Sequence, residues 1–279
     1  MLVLVTGATG RIGLRLIPRL LRANFQIRLL VRNRHRVEPF ANRGAQIMVG
    51  DMRDPEVVQK ALEEVWGVIH LAAAFRGVSD QEMAEVNVEA TRTLAWMANA
   101  RRFVFASTGL VYGPGRGRPA REDDQPQPPA NAAYPRTKAQ AEEVLGEFQR
   151  GGLDLRVARL GFVYGDGDPN LEESLKWAGD WPAHKRLHLV HHADVGQALM
   201  RVLLAEGLDK HRIFNVADDA PLTAHELHVL NGRPVPPEAA ARTLADPWEG
   251  IMDTSLVREK LGFRPLYPTV YTAQDAGSL

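Results

Sequence analysis

The stretch Leu2-Val3-Leu4-Val5-Thr6-Gly7-Ala8-Thr9-Gly10-Arg11-Ile12-Gly13 decides how the rest of the chain reads. A short apolar run meets three glycines spaced three apart, and a helical pattern follows at once. Ile12, Leu16, Ile17, Leu20 and Leu21 recur at the spacing of one helix face. Strand, glycine turn and helix in that order let a backbone come close to a pyrophosphate. The glycines remove side chains at the turn, and the helix N-terminus presents free N–H groups and partial positive charge to an anion. The spacing is G-x-x-G-x-x-G, one residue longer than the dinucleotide fingerprint G-x-G-x-x-G.

Bulk composition narrows the class. The 279 residues are 45% hydrophobic and 24% charged, as in a globular domain with a sizeable core. Formal net charge is zero, so nothing global points to nucleic acid or an anionic membrane surface. There is no cysteine, which excludes disulfides, thiolate nucleophiles and zinc thiolate sites. No apolar run approaches the roughly 20 residues of a membrane span. The first strand belongs to the fold and is not a leader, and the expected compartment is the cytoplasm.

Strand and helix signals alternate through the first two-thirds. Strands are expected at 2–6, 27–31, 46–49, 67–71, 102–106, 153–160 and 187–191, and helices at 11–23, 55–65, 82–99, 134–150 and 194–206. Such alternation implies a doubly wound parallel sheet with helices on both faces, whose ligands sit beyond the carboxyl ends of the strands. The residues just after each strand therefore carry the functional reading. After the second strand comes Arg32-Asn33-Arg34-His35-Arg36, with no acid before Glu38. Basic residues there suit a ribose 2′-phosphate and an acid would suit a free 2′-OH, so Arg32 favours NADP(H), with NAD(H) the alternative. After the third strand, Asp51-Met52 suits an adenine amino group and ring, while Asp54-Pro55 reads as a helix start. His70 reads as a packed histidine, and the small residues Leu71-Ala72-Ala73-Ala74 leave room for a ribose. Asn87 and Thr91 lie four apart on one helix face. The fifth strand runs into Ser107 and Thr108, two hydroxyls placed for a substrate.

Residues 113–133, with five prolines and three glycines, read as a surface loop, either a binding lid or a connector. Tyr134 and Lys138 follow, four apart and stacked on one face if a helix begins near Tyr134, since Pro135 fits only a first turn. His184, His188, His191 and His192 do not match the ligand spacings of zinc sites, and no metal is expected.

Taken together these residues resemble the extended short-chain dehydrogenase/reductase family, also called the NAD-dependent epimerase/dehydratase family. The resemblance rests on Thr6 to Gly13, His70-Leu71-Ala72-Ala73, Asn87 to Thr91, Ser107-Thr108 with Val111-Tyr112-Gly113, and Tyr134-x-x-x-Lys138. It continues through Arg159-Leu160-Gly161-Phe162-Val163-Tyr164-Gly165, His191-x-x-Asp194-Val195 and Phe214-Asn215-Val216, in family order from residue 3 to about 217. It implies a Rossmann-type fold with a dinucleotide-binding domain at 1–165, continued by 190–217. A small substrate-binding lobe follows from 166–189 and 218–279.

The resemblance further implies that Gly7, Thr9, Gly10, Arg11, Ile12 and Gly13 hold the dinucleotide and that Asp51-Met52 meets the adenine. Leu71, Ala72, Ala73, Gly161 and Val163 complete the cofactor site. Thr108, Tyr134 and Lys138 form the catalytic trio, Lys138 also bonding the nicotinamide ribose. Ser107, Tyr164 and Trp177 are candidates for substrate contact. Helices 82–99 and 134–150 are expected to pair across a homodimer. Two positions depart from the family pattern: Val31-Arg32 replaces the Asp of many NAD users, and His192 stands where Asp is frequent.

The chemistry such a trio serves is hydride exchange at a C–OH/C=O carbon, with Tyr134 moving the oxygen's proton. A free phenol titrates near 10, and the Lys138 ammonium together with the positive nicotinamide of the oxidised cofactor would draw it down toward neutrality. The leading expectation is an NAD(P)-dependent oxidoreductase acting on a small or medium hydroxy or carbonyl compound. The alternatives are a nucleotide-sugar epimerase or dehydratase with recycled NAD, and a non-catalytic NADP-sensing protein.

Overall fold

Seven parallel strands form the central sheet of the computed structural model, which describes residues 1–98, 102–208 and 212–279. The chain runs β1 (Leu2–Thr6), α1 (Arg11–Arg22), β2 (Gln26–Val31), α2 (Glu38–Ala41), β3 (Gln46–Val49), α3 (Pro55–Ala61) and β4 (Gly67–His70). Next come α4 (Asp80–Ala84), a wide π-type turn at Glu85–Glu89, α5 (Ala90–Met97), β5 (Arg102–Thr108), α6 (Ala133–Arg150), β6 (Leu155–Leu160) and β7 (Phe162–Tyr164). The remainder is α7 (Asn170–Ala178), β8 (Arg186–Leu187), β9 (Leu189–His191), α8 (His192–Leu204), β10 (Ile213–Val216), β11 (Leu222–Thr223), α9 (Ala224–Leu230), α10 (Ser255–Leu261) and α11 (Val270–Asp275).

The sheet order is β10-β6-β5-β4-β1-β2-β3. The chain winds outward from β1 to β3, then returns to place β4 on the other side of β1. That reversal opens a crevice at the carboxyl ends of β1 and β4. Two apolar layers cover the sheet, and the period-two alternation of each strand feeds both. Val3, Val5, Val104 and Ala106 pack with Leu16, Leu20, Val195 and Leu199 from α1 and α8. Leu4, Phe103 and Phe105 pack with Val58, Leu94, Ala141 and Leu145 from α3, α5 and α6. A smaller core of Tyr164, Leu171, Leu189, Leu222, Leu227 and Val270 gathers α7, α9 and α11. Val257, Leu261 and Phe263, from α10 and just beyond, join the main core instead.

Several expected elements are corrected. The seventh sheet strand is β10, not 187–191. That segment breaks at His188 into β8, paired antiparallel to β11, and β9, paired parallel to β7. The helix expected at 82–99 begins at Asp80 and is interrupted by the π-type turn, and residue 99 lies outside the described residues. Asp54 does cap α3, accepting from Glu56 N–H. His191 caps α8, and the buried Asp194 carboxylate accepts from Leu266 and Tyr267 N–H at 2.6 and 3.1 Å. No described helix is long and apolar enough to cross a membrane.

Loop 113–133 is stitched down. Ala120 N–H donates to Ile251 O, Asp253 N–H donates to Ala120 O, and Glu122 accepts from Asn215 N–H, each at 2.8 Å. These bonds fasten the middle of the loop between β5 and α6.

Candidate active site

A cleft of about 910 Å³ lies beyond the strand ends, within the usual size of a ligand site. At its base is the glycine turn. Gly7 has φ +69°, and a Cβ there would fall 2.5 Å from Ala72 N. A Cβ on Gly13 would fall 2.4 Å from Gly7 O, so Gly13 serves the closeness of helix to turn and does not itself line the cleft. Gly10 is the N-cap of α1, with no side-chain cap and no acid in the first turn. By contrast Asp54, Ser79 and Thr223 cap α3, α4 and α9 with their own oxygens. The first N–H groups of the twelve-residue α1 are thus left for an anion, and Gly7, Thr9, Gly10, Arg11 and Ile12 all line the cleft. This open, uncapped end fits a dinucleotide pyrophosphate.

Arg32, Asp51 and Met52 line the adenosine end. Asp51 is paired with Arg53 at 2.6 Å, which holds its carboxyl below the usual range. Arg32 is exposed and forms no ion pair or hydrogen bond among the described residues. Arg11 reaches across the turn to Asp168 at 2.9 Å and to Glu173 of α7 at 2.8 Å; Arg76 meets the same Glu173 at 3.4 Å. The other Asp168 oxygen is 2.8 Å from His192 Nε2. The expected position of His192 is therefore filled by a residue that orients the Arg11 partner.

At the reactive end, Thr108 and Tyr134 line the same cleft, as do Leu71, Ala72, Ala73, Gly161 and Val163. Thr108 Oγ1 accepts from Leu110 N–H at 3.3 Å, which leaves its own proton to donate. Tyr134 lies in the first turn of α6, with its ring 4.4 Å from that of Phe75. Burial raises its phenol to about 12. Lys138, one turn on, is buried, with Nζ 3.8 Å from the Phe105 ring centroid. Burial pulls its ammonium down to about 7, and Glu142 opposes only part of that. The Tyr134 phenol is raised and not drawn down as expected: desolvation governs it and Lys138 alike, and the charge of Lys138 also lowers His70.

His70 is hydrogen-bonded to Thr6 Oγ1 at 2.6 Å and Thr91 Oγ1 at 2.8 Å, and burial lowers it to about 3. Asn87 accepts from Ala74 N–H at 2.7 Å and donates to Ala74 O at 2.9 Å and Thr137 Oγ1 at 3.0 Å. Asn87 thereby ties the loop after β4 to the helix that carries Tyr134.

Other expected site residues lie elsewhere. Ser107 donates to Glu142, whose buried carboxylate pairs with Arg159 at 2.6 Å, so it braces an ion pair behind the cleft. Tyr164 is fully buried under the smaller core. Trp177 stands behind the wall, 6.2 Å from Phe162, and Trp181 lines the cleft instead. Lys138 lies under the floor and not on it. The histidines diverge: His188 binds Met252 N–H and Asp218 O, His191 binds Ser278 O, and His192 binds Asp168. Among the described residues no three His, Cys, Asp or Glu converge on a metal position.

The cleft also holds residues that carried no local signal in the sequence, among them Phe75, Arg76, Leu110, Glu249 and Met252.

A ketoreductase from Stigmatella aurantiaca, acting by name on a farnesyl dihydroquinoline oxide, is 30% identical over 169 residues, covering 59% of this chain and 51% of the relative. The chain spans about half the length of that relative and of another curated one. A UDP-glucose 4-epimerase from Corynebacterium glutamicum is 26% identical, covering 99% of this chain and 94% of the relative. The solved structure of the UDP-glucose 4-epimerase from Thermus thermophilus with NAD is 26% identical, with a TM-score of 0.75 and coverage of 95% and 94%. Residues 3–220 match the family model described as the NAD dependent epimerase/dehydratase family, and with the glycine turn, Thr108 and Tyr134 gathered around one cleft, the chain belongs to that family.

Proposed function

We propose that this protein is an NADP(H)-dependent oxidoreductase that interconverts a carbonyl and a hydroxyl on a small or medium substrate. The observation that carries the reading is the single cleft lined by the uncapped start of α1, by Arg32, and by Thr108 and Tyr134. A bound nicotinamide supplies the hydride to the carbonyl carbon or takes it from the alcohol. Thr108 donates a hydrogen bond to the substrate oxygen and fixes its direction. Tyr134, protonated at neutral pH because its phenol is raised to about 12, gives that oxygen its proton in the reductive direction. Lys138 stabilises the phenolate left behind, in proportion to its own protonation. Arg32, whose guanidinium makes no hydrogen bond or ion pair among the described residues, supports a 2′-phosphate over a free ribose hydroxyl. The exposed Trp96 on α5, beside α6, supports pairing of two copies through these helices. The cytoplasm is the proposed compartment.

The test is NADPH consumption against a panel of ketones and aldehydes. Tyr134→Phe is expected to lower kcat/KM about a hundredfold or more while the cofactor still binds. Undiminished turnover removes Tyr134 from the chemistry. A second reading, a nucleotide-sugar epimerase, is favoured by the near full-length match to the Corynebacterium enzyme. It calls for tightly held NAD and interconversion of UDP-sugars without net NAD(P)H consumption.

A further inference from the structure

The cleft that holds Thr108 and Tyr134 carries a run of large apolar side chains among its charged ones. Phe75 and Leu110 both line it and are 48% and 52% exposed, two large apolar side chains open to one cavity. Phe162, Trp181, Leu187 and Met252 complete the wall. Phe75 lies against Tyr134, so this surface begins at the phenol itself.

The cations around this chamber differ in what they already hold. Arg76 is paired with Glu173, and Lys185 with Glu249 at 3.0 Å. Arg186 has no carboxylate partner among the described residues. Its guanidinium lies 4.8 Å from the Trp248 ring, Nη2 donates to Pro247 O at 2.8 Å, and Nε and Nη1 have no partner. It is partly buried and lines the cleft. One unsatisfied cation beside an apolar, aromatic chamber matches one anionic group on an apolar body. Sugar hydroxyls set against Phe75, Leu110, Phe162 and Met252 would stay unpaired, at about 1–3 kcal/mol for each, while Lys185 and Glu249 of the same wall already hold each other. With Arg32 at the adenosine end, a diphosphate here would bring two charges to one guanidinium without a carboxylate partner among the described residues.

We infer that the substrate is a flat, largely apolar carbonyl or alcohol compound bearing one carboxylate, its body in the chamber and its acid on Arg186. The inference rests on the proposed oxidoreductase reading. The test is calorimetric binding to the full chain saturated with NADP⁺, where no reduction proceeds. The probes are 6-formyl-2-naphthoate, the neutral 2-naphthaldehyde, and UDP-glucose.

The acid is expected to bind at least about tenfold tighter than the neutral aldehyde, since a charge-assisted bond contributes about that factor or more. Arg186→Gln should bring the ratio of the two close to one, and Arg186→Lys should keep part of it. Unchanged thermal midpoints of both variants show that the fold is intact. Tighter binding of UDP-glucose, equal binding of acid and aldehyde, no detectable binding of the acid, or a preference that survives Arg186→Gln each overturns the inference. Turnover is read separately with NADPH. Acid preference without turnover refutes the oxidoreductase reading alone, and turnover without acid preference refutes the chamber assignment alone.

Discussion

Replacing Lys138 by Met should make the protein more stable and less active at once. Lys138 is 2% exposed and makes no hydrogen bond among the described residues, and burial lowers its ammonium from 10.5 to about 7. The sign follows from linkage: the unfolded chain holds this proton up to the ordinary lysine value, the folded chain releases it near neutrality. Below the unfolded value, folding therefore works against protonation, and the handicap grows as pH falls toward the folded value. At about pH 7 the handicap amounts to about 4 kcal/mol, and at about pH 10 it shrinks to about 1 kcal/mol. Methionine has nearly the same length and shape without the charge, and should cost little in packing. The assay is urea denaturation of both proteins at the two pH values. The variant should gain about 4 kcal/mol near neutrality and only about 1 kcal/mol near pH 10. Glu122 and Asp218, whose carboxyls burial raises to about 7 and about 8, weaken both proteins alike as pH rises and cancel in the difference. Catalysis should fall by about a hundredfold or more, because the phenolate of Tyr134 loses the ammonium one turn along α6. A destabilised variant, or a gain independent of pH, refutes the argument.

Arg32→Ala should raise KM for NADPH by about 10- to 100-fold and leave KM for NADH within about twofold, the loss expected for a charge-assisted phosphate contact; equal effects on both cofactors would refute the 2′-phosphate assignment. Glu142→Gln strands the Arg159 charge, 2% exposed and paired at 2.6 Å, and should destabilise the fold by about 3–5 kcal/mol in a denaturant melt. Trp96 is 71% exposed, and Trp96→Glu should turn a dimer into a monomer by light scattering without shifting the thermal midpoint; a wild-type monomer at micromolar concentration defeats the pairing through α5 and α6.

Local sequence was enough for the strand, turn and helix from Leu2 to Arg22, because apolar period and glycine spacing each report on contacts within a few residues. Thr108 and Tyr134, named from a strand end and a helix start, line one cleft. The break at His188 was illegible. The residue sits in an apolar run, yet its ring is held by Met252 and Asp218, 64 and 30 positions away. Trp177 and Trp181 are four apart and look equivalent, but α7 stops at Ala178, so only Trp181 turns toward the cleft. The spacing of Tyr134 and Lys138 fixed which face they share, not how dry that face is. Dryness comes from β5 and from Phe75, and it decides both titrations.

The wide turn at Glu85–Glu89 sets a limit on how this helix can change length. It holds one residue more than a regular turn needs, and that surplus aims Asn87 at Ala74 and Thr137. Deleting one residue there would heal the helix into an ordinary one and turn everything on its N-terminal side by about 100°. The chain would remain helical, while the loop bearing Phe75 and the helix bearing Tyr134 would lose their common anchor. At this point of the molecule rotational phase, rather than length or hydrophobicity, is what the segment has to preserve.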